Sequence, residues 1–240
     1  MNIVITGASK GLGKAIAAAF AKDESGHSFF LCARNAAELE ATGKDLQERF
    51  PQNKIHTKTC DVSDKIALQQ FVAWINNYAA KVDILVNNAG VYLPGSAYGE
   101  DDGMLEKLME VNLYSAYHLT RMILPGMISS SSSTSSVGHV FNICSIASIM
   151  AYPNGGAYSI SKFALYGFSK NLREELKPHG IKVTHVLPGA AYTDSWSGSG
   201  VDPKRIMEAA DVAQMVYAAA QLSSQACVEE IILRPQLGDL

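Results

Sequence analysis

Cysteine is scarce: four in 240 residues, at positions 32, 60, 144 and 227, with no C-x-x-C pair among them. That spacing argues against both a zinc ribbon and a disulfide scaffold. Buried thiols in a reducing cytosol, and so a cytoplasmic protein, are the expectation. His118, His139 and His185 are equally scattered, so no metal is expected. Charge is sparse as well, at 18% of residues with a net value of −3. Without a basic face or a polybasic segment, neither a nucleic acid nor a membrane surface is an expected partner. No apolar run approaches the ~20 residues that span a bilayer. From Met1 the chain runs straight into Ile3-Val4-Ile5, with no positive n-region, so no signal peptide is expected. There is no internal repeat and no long linker. The single low-complexity segment, Ser129–Ser136, reads as a solvated loop between a helix and a strand.

What is present is an apolar content of 48%, enough for a sizeable core, cut into short β-rich runs. The strand candidates are Ile3–Thr6, Ser28–Ala33, Lys54–Cys60, Ile84–Asn87, Val137–Cys144, Lys182–Leu187 and Val228–Leu233. Most are nearly continuous in apolarity, as strands covered on both faces of a parallel sheet are. Between them lie stretches with helical spacing, such as Ile66, Phe71, Trp74, Ile75 and Tyr78. Long helices are expected around Leu105–Met127 and Tyr158–Leu176. This alternation predicts an α/β fold, helices on both sides of a mostly parallel, doubly wound sheet with right-handed crossovers.

After the first strand comes Thr6-Gly7-Ala8-Ser9-Lys10-Gly11-Leu12-Gly13, then a helix expected from about Lys14 with Ile16 and Phe20 facing inward. A dinucleotide pyrophosphate needs close backbone approach and free N–H groups at a helix N-terminus, and glycines at this place provide both. The second strand ends Leu31-Cys32-Ala33-Arg34-Asn35, with no acid at its tip to hold a ribose hydroxyl. Arg34, with Lys10 from the glycine turn, either engages a 2′-phosphate or is a solvated charge. The first reading makes the cofactor NADP(H). Asp61-Val62 closes the third strand, where a carboxylate can accept the adenine amino group. Asn87-Asn88-Ala89-Gly90 closes the fourth; its small residues leave room for the adenosine side. Asn87 is either part of that site or a purely structural amide.

Ser145 follows the fifth strand. Tyr158 stands thirteen residues on, and Lys162 four beyond that. Residues i and i+4 share a helix face, so the Lys162 ammonium is placed to favour the Tyr158 phenolate. Ser145 can donate to a substrate oxygen. A polarising donor, a proton source and a tuning charge make up an acid–base site.

Taken together, Thr6-Gly7…Gly11-Leu12-Gly13, Asn87-Asn88-Ala89-Gly90, Asn112, Ser145, Tyr158…Lys162 and Pro188-Gly189 resemble the motif set of the short-chain dehydrogenase/reductases across nearly the whole chain. The resemblance implies one NAD(P)-binding Rossmann domain over residues 1–240 with seven strands. It also implies that Tyr158 is the general acid/base and that Lys162 contacts the nicotinamide ribose. Asn112 would hold a water linking Lys162 to solvent, and Thr193 would touch the nicotinamide amide. A homodimer or homotetramer is implied too. Within the family, Pro188–Thr193 followed by Trp196, and the tail Val228–Pro235 with Gly238-Asp239, are similar to bacterial sepiapterin reductases. That likeness implies a pteridine side-chain ketone as substrate.

The segment Ala190–Pro203, rich in serine and glycine, reads as a substrate lid. Trp196 either stacks on a flat substrate or anchors a core or an interface. Val91, Tyr92, Leu93, Ile146 and Tyr152 are candidate pocket walls. Asp239 is either a polar anchor for a pterin ring or an exposed tail acid. The function expected is NADPH-dependent reduction of a small-molecule carbonyl. A 3-oxoacyl-carrier-protein reductase and a non-catalytic NADP(H) sensor are the alternatives.

Overall fold

The computed structural model describes residues 1–131, 138–193, 196, 198 and 200–239, with the side chains of Ser130 and Ser131 left aside. Seven strands form one sheet: β1 (Asn2–Thr6), β2 (Ser28–Ala33), β3 (Lys54–Thr59), β4 (Ile84–Asn87), β5 (His139–Ile143), β6 (Lys182–Pro188) and β9 (Glu230–Leu233). Their order is β3-β2-β1-β4-β5-β6-β9, and every pairing is parallel, beyond the mostly parallel sheet expected. The chain winds outward from β1 to β3 and then returns to β1's other side with β4. A crevice therefore opens at the strands' C-terminal ends, where the order reverses.

Side chains alternate across the sheet. Ile3, Ile5, Phe29 and Leu31 pack with Ile16 and Phe20 of α1 (Gly11–Ala21), Leu39 and Leu46 of α2 (Ala36–Arg49), and Val212 and Val216 of α7 (Ala209–Ala220). Val4, Phe30, Val140 and Val183 face the opposite way. They meet Leu68, Phe71 and Ile75 of α3 (Lys65–Asn76), Leu119 and Ile123 of α5 (Ser115–Ser131), and Leu172 and Leu176 of α6 (Gly156–Leu176). The result is three layers, as the pattern of the sequence predicts.

A polar row crosses the middle of the sheet. Asn87, Asn142 and His185 are register partners on β4, β5 and β6. Asn87 Nδ2 donates to Asn142 Oδ1 at 2.8 Å and to Thr120 at 2.9 Å. Asn142 Nδ2 donates to the Ser169 hydroxyl at 2.9 Å, which in turn meets His185 Nδ1 at 2.8 Å. These buried groups bond one another, although Asn87 Oδ1 has no hydrogen-bond partner among the described residues, and they tie three central strands together. Asn87 is thus the structural amide of the two readings.

Several boundaries differ from expectation. Helix α1 begins at Gly11 rather than near Lys14, because the glycine turn itself enters the helix. Strand β9 starts at Glu230, two residues late. Of the α3 positions, Ile66 is exposed and Tyr78 lies beyond the helix, its ring 4.6 Å from that of His56 on the edge strand β3. The expected helix around Leu105–Met127 runs unbroken from Met104 to Ser131, as α4 (Met104–Met109), a π-helical turn over Glu110–Tyr114 and α5. Ser129–Ser131 complete α5 rather than a loop, and 132–136 lie outside the described residues. Within the expected lid, Ala191–Tyr192 forms a short strand, β7, parallel to β8 (Met207–Glu208). Asp194, Ser195, Ser197 and Ser199 lie outside the described residues. Among the described residues no helix is long and apolar enough to cross a membrane.

Candidate active site

A cleft of about 860 Å³ runs along the C-terminal ends of the strands. At one end is the glycine turn. Gly7 has φ +63°, and a Cβ there would stand 2.9 Å from Ala89 Cα, so β1 and β4 can close up only around glycine. The Thr6 hydroxyl accepts from the amides of Asn88 at 3.0 Å and Ala89 at 2.9 Å. The Asn88 amide returns the tie to the carbonyls of Thr6 at 2.8 Å and Gly7 at 3.1 Å. The N-terminus of α1 follows with no side-chain cap and no acid in its first turn. Its free N–H groups and positive dipole face the cleft uncompensated, which is the donor set that a pyrophosphate needs.

Lys10 and Arg34 both line this end and are exposed. Asp61 lies close by, its carboxylate accepting from the Ser63 amide at 3.0 Å and hydroxyl at 2.7 Å. Burial opposes ionisation of Asp61. The two Ser63 bonds and the nearby Arg34 outweigh it and hold the carboxyl below its ordinary range.

At the other end are Ser145, Tyr158 and Lys162. Ser145 follows β5 and caps a short 3₁₀ turn, Ile146–Ser148, by accepting from the Ala147 amide at 3.1 Å. Its hydroxyl lies near the Tyr158 phenol, where it favours the phenolate. Tyr158 lies in the first turn of α6. Its ring packs edge-on against Tyr92, centroids 4.8 Å apart. Burial pushes its phenol up to about 12, and the nearby Ser145 hydroxyl pulls the other way. Lys162, one helical turn on, is 5% exposed and donates to the Ile143 carbonyl at 2.9 Å. Its Nζ stands 6.0 Å from the Tyr158 ring centroid. Burial lowers its ammonium to about 8, with no carboxylate among the groups that oppose this.

The cleft wall also includes Ser9, Gly11, Leu12, Val62, Ala89, Gly90, Pro188, Gly189 and Thr193, and toward the catalytic end Ile146, Tyr152 and Trp196. Two expected site residues stand off it. Gly13 faces inward, where a Cβ would lie 2.3 Å from the Gly7 carbonyl oxygen. Its smallness lets α1 pack on the turn. Asn112 is buried on the π-helical turn. Its Oδ1 accepts from the Val91 amide at 2.8 Å, and its Nδ2 donates to the Val91 carbonyl at 3.0 Å and the Ser161 hydroxyl at 2.9 Å. It pins the strand-β4 loop to α6 from behind. Leu93 is likewise not part of the wall.

Glu38 escaped the sequence reading. It occupies the first turn of α2, capped by Asn35, and its carboxylate enters the cleft beside Lys10 and Ser9. The pattern Asn35-x-x-Glu38 is a helix-start signature that would have located it.

An open parallel sheet with a glycine turn at its switch point and a Ser/Tyr/Lys group across the crevice defines a dinucleotide-binding α/β protein. Residues 1–202 match the short chain dehydrogenase family model. The chain is 33% identical over 244 residues to a sepiapterin reductase of Chlorobaculum tepidum, covering 99% of this chain and 97% of that protein. It superposes on an alcohol dehydrogenase from Thermococcus sibiricus complexed with 5-hydroxy-NADP. The TM-score is 0.87 at 26% identity, over 98% of this chain and 96% of that one. L-sorbose reductase from Gluconobacter frateurii, complexed with NADPH and L-sorbose, matches with a TM-score of 0.85 at 25% identity, over 97% and 94% of the two chains. The chain belongs to the short-chain dehydrogenase family.

Proposed function

We propose that this chain is an NADP(H)-dependent carbonyl reductase whose substrate is the side-chain ketone of a pteridine such as sepiapterin. The observation that carries the reading is the convergence of Ser145 and Tyr158 on one cleft wall, with the buried Lys162 ammonium one helical turn away.

The α1 N-terminus would hold the pyrophosphate, and Asp61 and Val62 the adenine. Ser9, Lys10 and Arg34 would face the 2′-phosphate. Asn88, Ala89 and Gly90 would line the path to the nicotinamide end, where Lys162, Pro188, Gly189 and Thr193 stand. Bound there, the coenzyme would supply a hydride to the carbonyl carbon. Ser145 donates to the carbonyl oxygen and polarises it. Tyr158, whose raised phenol keeps its proton at neutral pH, delivers that proton to the same oxygen, giving the alcohol. Lys162 stabilises the phenolate left behind. Asn112 positions α6 by its bond to Ser161.

Support for a pteridine comes from the far wall. Oδ1 of Asp239 is buried without a hydrogen-bond partner among the described residues, and Gly189 leaves room for it. A carboxylate oxygen in that position suits the amino and ring N–H donors of a pterin. Ile146, Tyr152 and Trp196 provide apolar and flat surfaces for the ring, and residues 190–203 would act as a lid over it. The likeness to the Chlorobaculum tepidum sepiapterin reductase points the same way.

The same reading makes the protein a cytoplasmic homodimer or homotetramer. Free, mostly buried thiols fit a reducing compartment. Leu105, Tyr114, Ile160 and Phe163, each at least 40% exposed on the α4–α6 face, suit a partner copy.

The test is NADPH oxidation with sepiapterin, a 3-oxoacyl thioester, sulfoacetaldehyde and simple ketones in parallel. Sepiapterin is expected to have the highest kcat/KM, by tenfold or more on the order seen for a fitted pocket. Preference for the thioester would overturn the substrate. Tight NADPH binding with no oxidation of any substrate would overturn catalysis in favour of a sensor.

A further inference from the structure

The adenosine end of the cleft contains an anion as well as cations. Glu38 accepts from the Ser9 hydroxyl at 3.4 Å and pairs with the Lys10 ammonium at 3.6 Å. Its position is built. The Asn35 side chain accepts from the Glu38 amide at 3.2 Å, fixing the first turn of α2. The Thr42 hydroxyl, one turn on, donates to the Ser9 carbonyl at 2.6 Å and ties α2 to the glycine turn. Arg34 has no carboxylate within salt-bridge distance among the described residues.

Of the three groups that face a 2′-phosphate here, two are therefore already bound to a carboxylate. A phosphate settling among Ser9, Lys10 and Arg34 must displace Glu38 from both and then sit beside it, anion against anion. An unphosphorylated ribose meets no such conflict, because its 2′-hydroxyl can donate to the same carboxylate. We propose that Glu38 is a specificity-determining residue that weakens NADP(H) binding relative to NAD(H) and brings the two coenzymes closer in affinity. This rests on the cleft being the coenzyme site proposed above. The Lys10–Glu38 pair is substantially exposed, at 56% and 42% of the side chains, so it opens readily. Glu38 thus tunes the site rather than closing it.

The experiment is direct titration of NADPH and NADH, followed by coenzyme fluorescence without substrate, for the wild type, Glu38→Gln and Glu40→Gln. Glutamine at 38 keeps the acceptor for Ser9 and the helix cap while removing the charge. Glu40 lies on the same helix, where it pairs with Lys44 at 3.1 Å, and controls for net charge. Glu38→Gln is expected to tighten NADPH by about fivefold, with NADH unchanged or weaker, and Glu40→Gln to change neither. Unchanged or weaker NADPH binding in Glu38→Gln would overturn the inference alone, as would an equal gain in Glu40→Gln. A wild-type protein that binds neither coenzyme would overturn the proposed function together with it.

Discussion

The Lys162 ammonium donates to the Ile143 carbonyl oxygen at 2.9 Å while lying 6.0 Å from the ring centroid of Tyr158. One backbone acceptor at the end of β5 thus anchors the charge that tunes a phenol on α6. Substitution of the phenol is the most direct test. Tyr158→Phe should lower kcat by about 10³-fold. NADPH affinity, read by fluorescence, should change by less than about threefold, because the hydroxyl adds little to a binding site built largely from backbone groups. Turnover within tenfold of the wild type would remove Tyr158 from the chemistry.

Lys162 leaves a thermodynamic signature as well. Burial lowers it from 10.5 to about 8, so between those values the unfolded chain carries a proton that the folded chain does not. Stability therefore rises with pH across that window. Measured without coenzyme by urea denaturation, the wild type should gain roughly 3 kcal/mol over Lys162→Met between pH 8 and 10.5. A flat difference would mean that the ammonium is not desolvated.

His139 works at the acid end. It is buried, stacked on Phe141 and bonded to Thr184 at 2.7 Å. Burial, with Lys182 and Arg173 nearby, lowers it from 6.5 to about 3. Below pH 6.5 the unfolded chain takes up a proton that the folded chain refuses, and stability falls by about 1.4 kcal/mol for each pH unit. His139→Gln should blunt that fall and shift the acid-unfolding midpoint to lower pH. An identical acid limb in the variant would count against the assignment.

Gly13→Ala tests the turn. Its methyl would meet the Gly7 carbonyl oxygen at 2.3 Å and the Asn88 side-chain nitrogen at 2.6 Å, and both are held in place. A loss of about 2 kcal/mol in stability is expected. NADPH binding should weaken at least tenfold, since the displaced turn carries the pyrophosphate donors. Normal affinity in a folded variant would show that the turn yields.

The strand β2 and the Ser145–Tyr158–Lys162 group were legible in the sequence because each rests on local pattern. An unbroken apolar run bounded by polar residues marks a buried strand, and i, i+4 spacing survives whatever the helix packs against. Asn112 was legible as a motif but not as a geometry. A π-helical turn offsets a 3.6-residue period by a single residue, too little to read over one turn, and the amide stands on that turn. Gly13 reads two ways in the sequence because small residues serve close packing and ligand approach alike. Glu38 is not legible from the tip of β2, because its place depends on how α2 docks against the glycine turn, through the Thr42–Ser9 bond.

The π-helical turn between α4 and α5 amounts to one surplus residue in the hydrogen-bond ladder. Excising a single residue there would close the bulge into regular α-helix and keep α4 and α5 in phase, yet move the residues within the turn by about 100° relative to one flank. Asn112 would swing away from Val91 and Ser161, and the loop behind the cleft would come loose. In that stretch the tally of residues matters more than their identity.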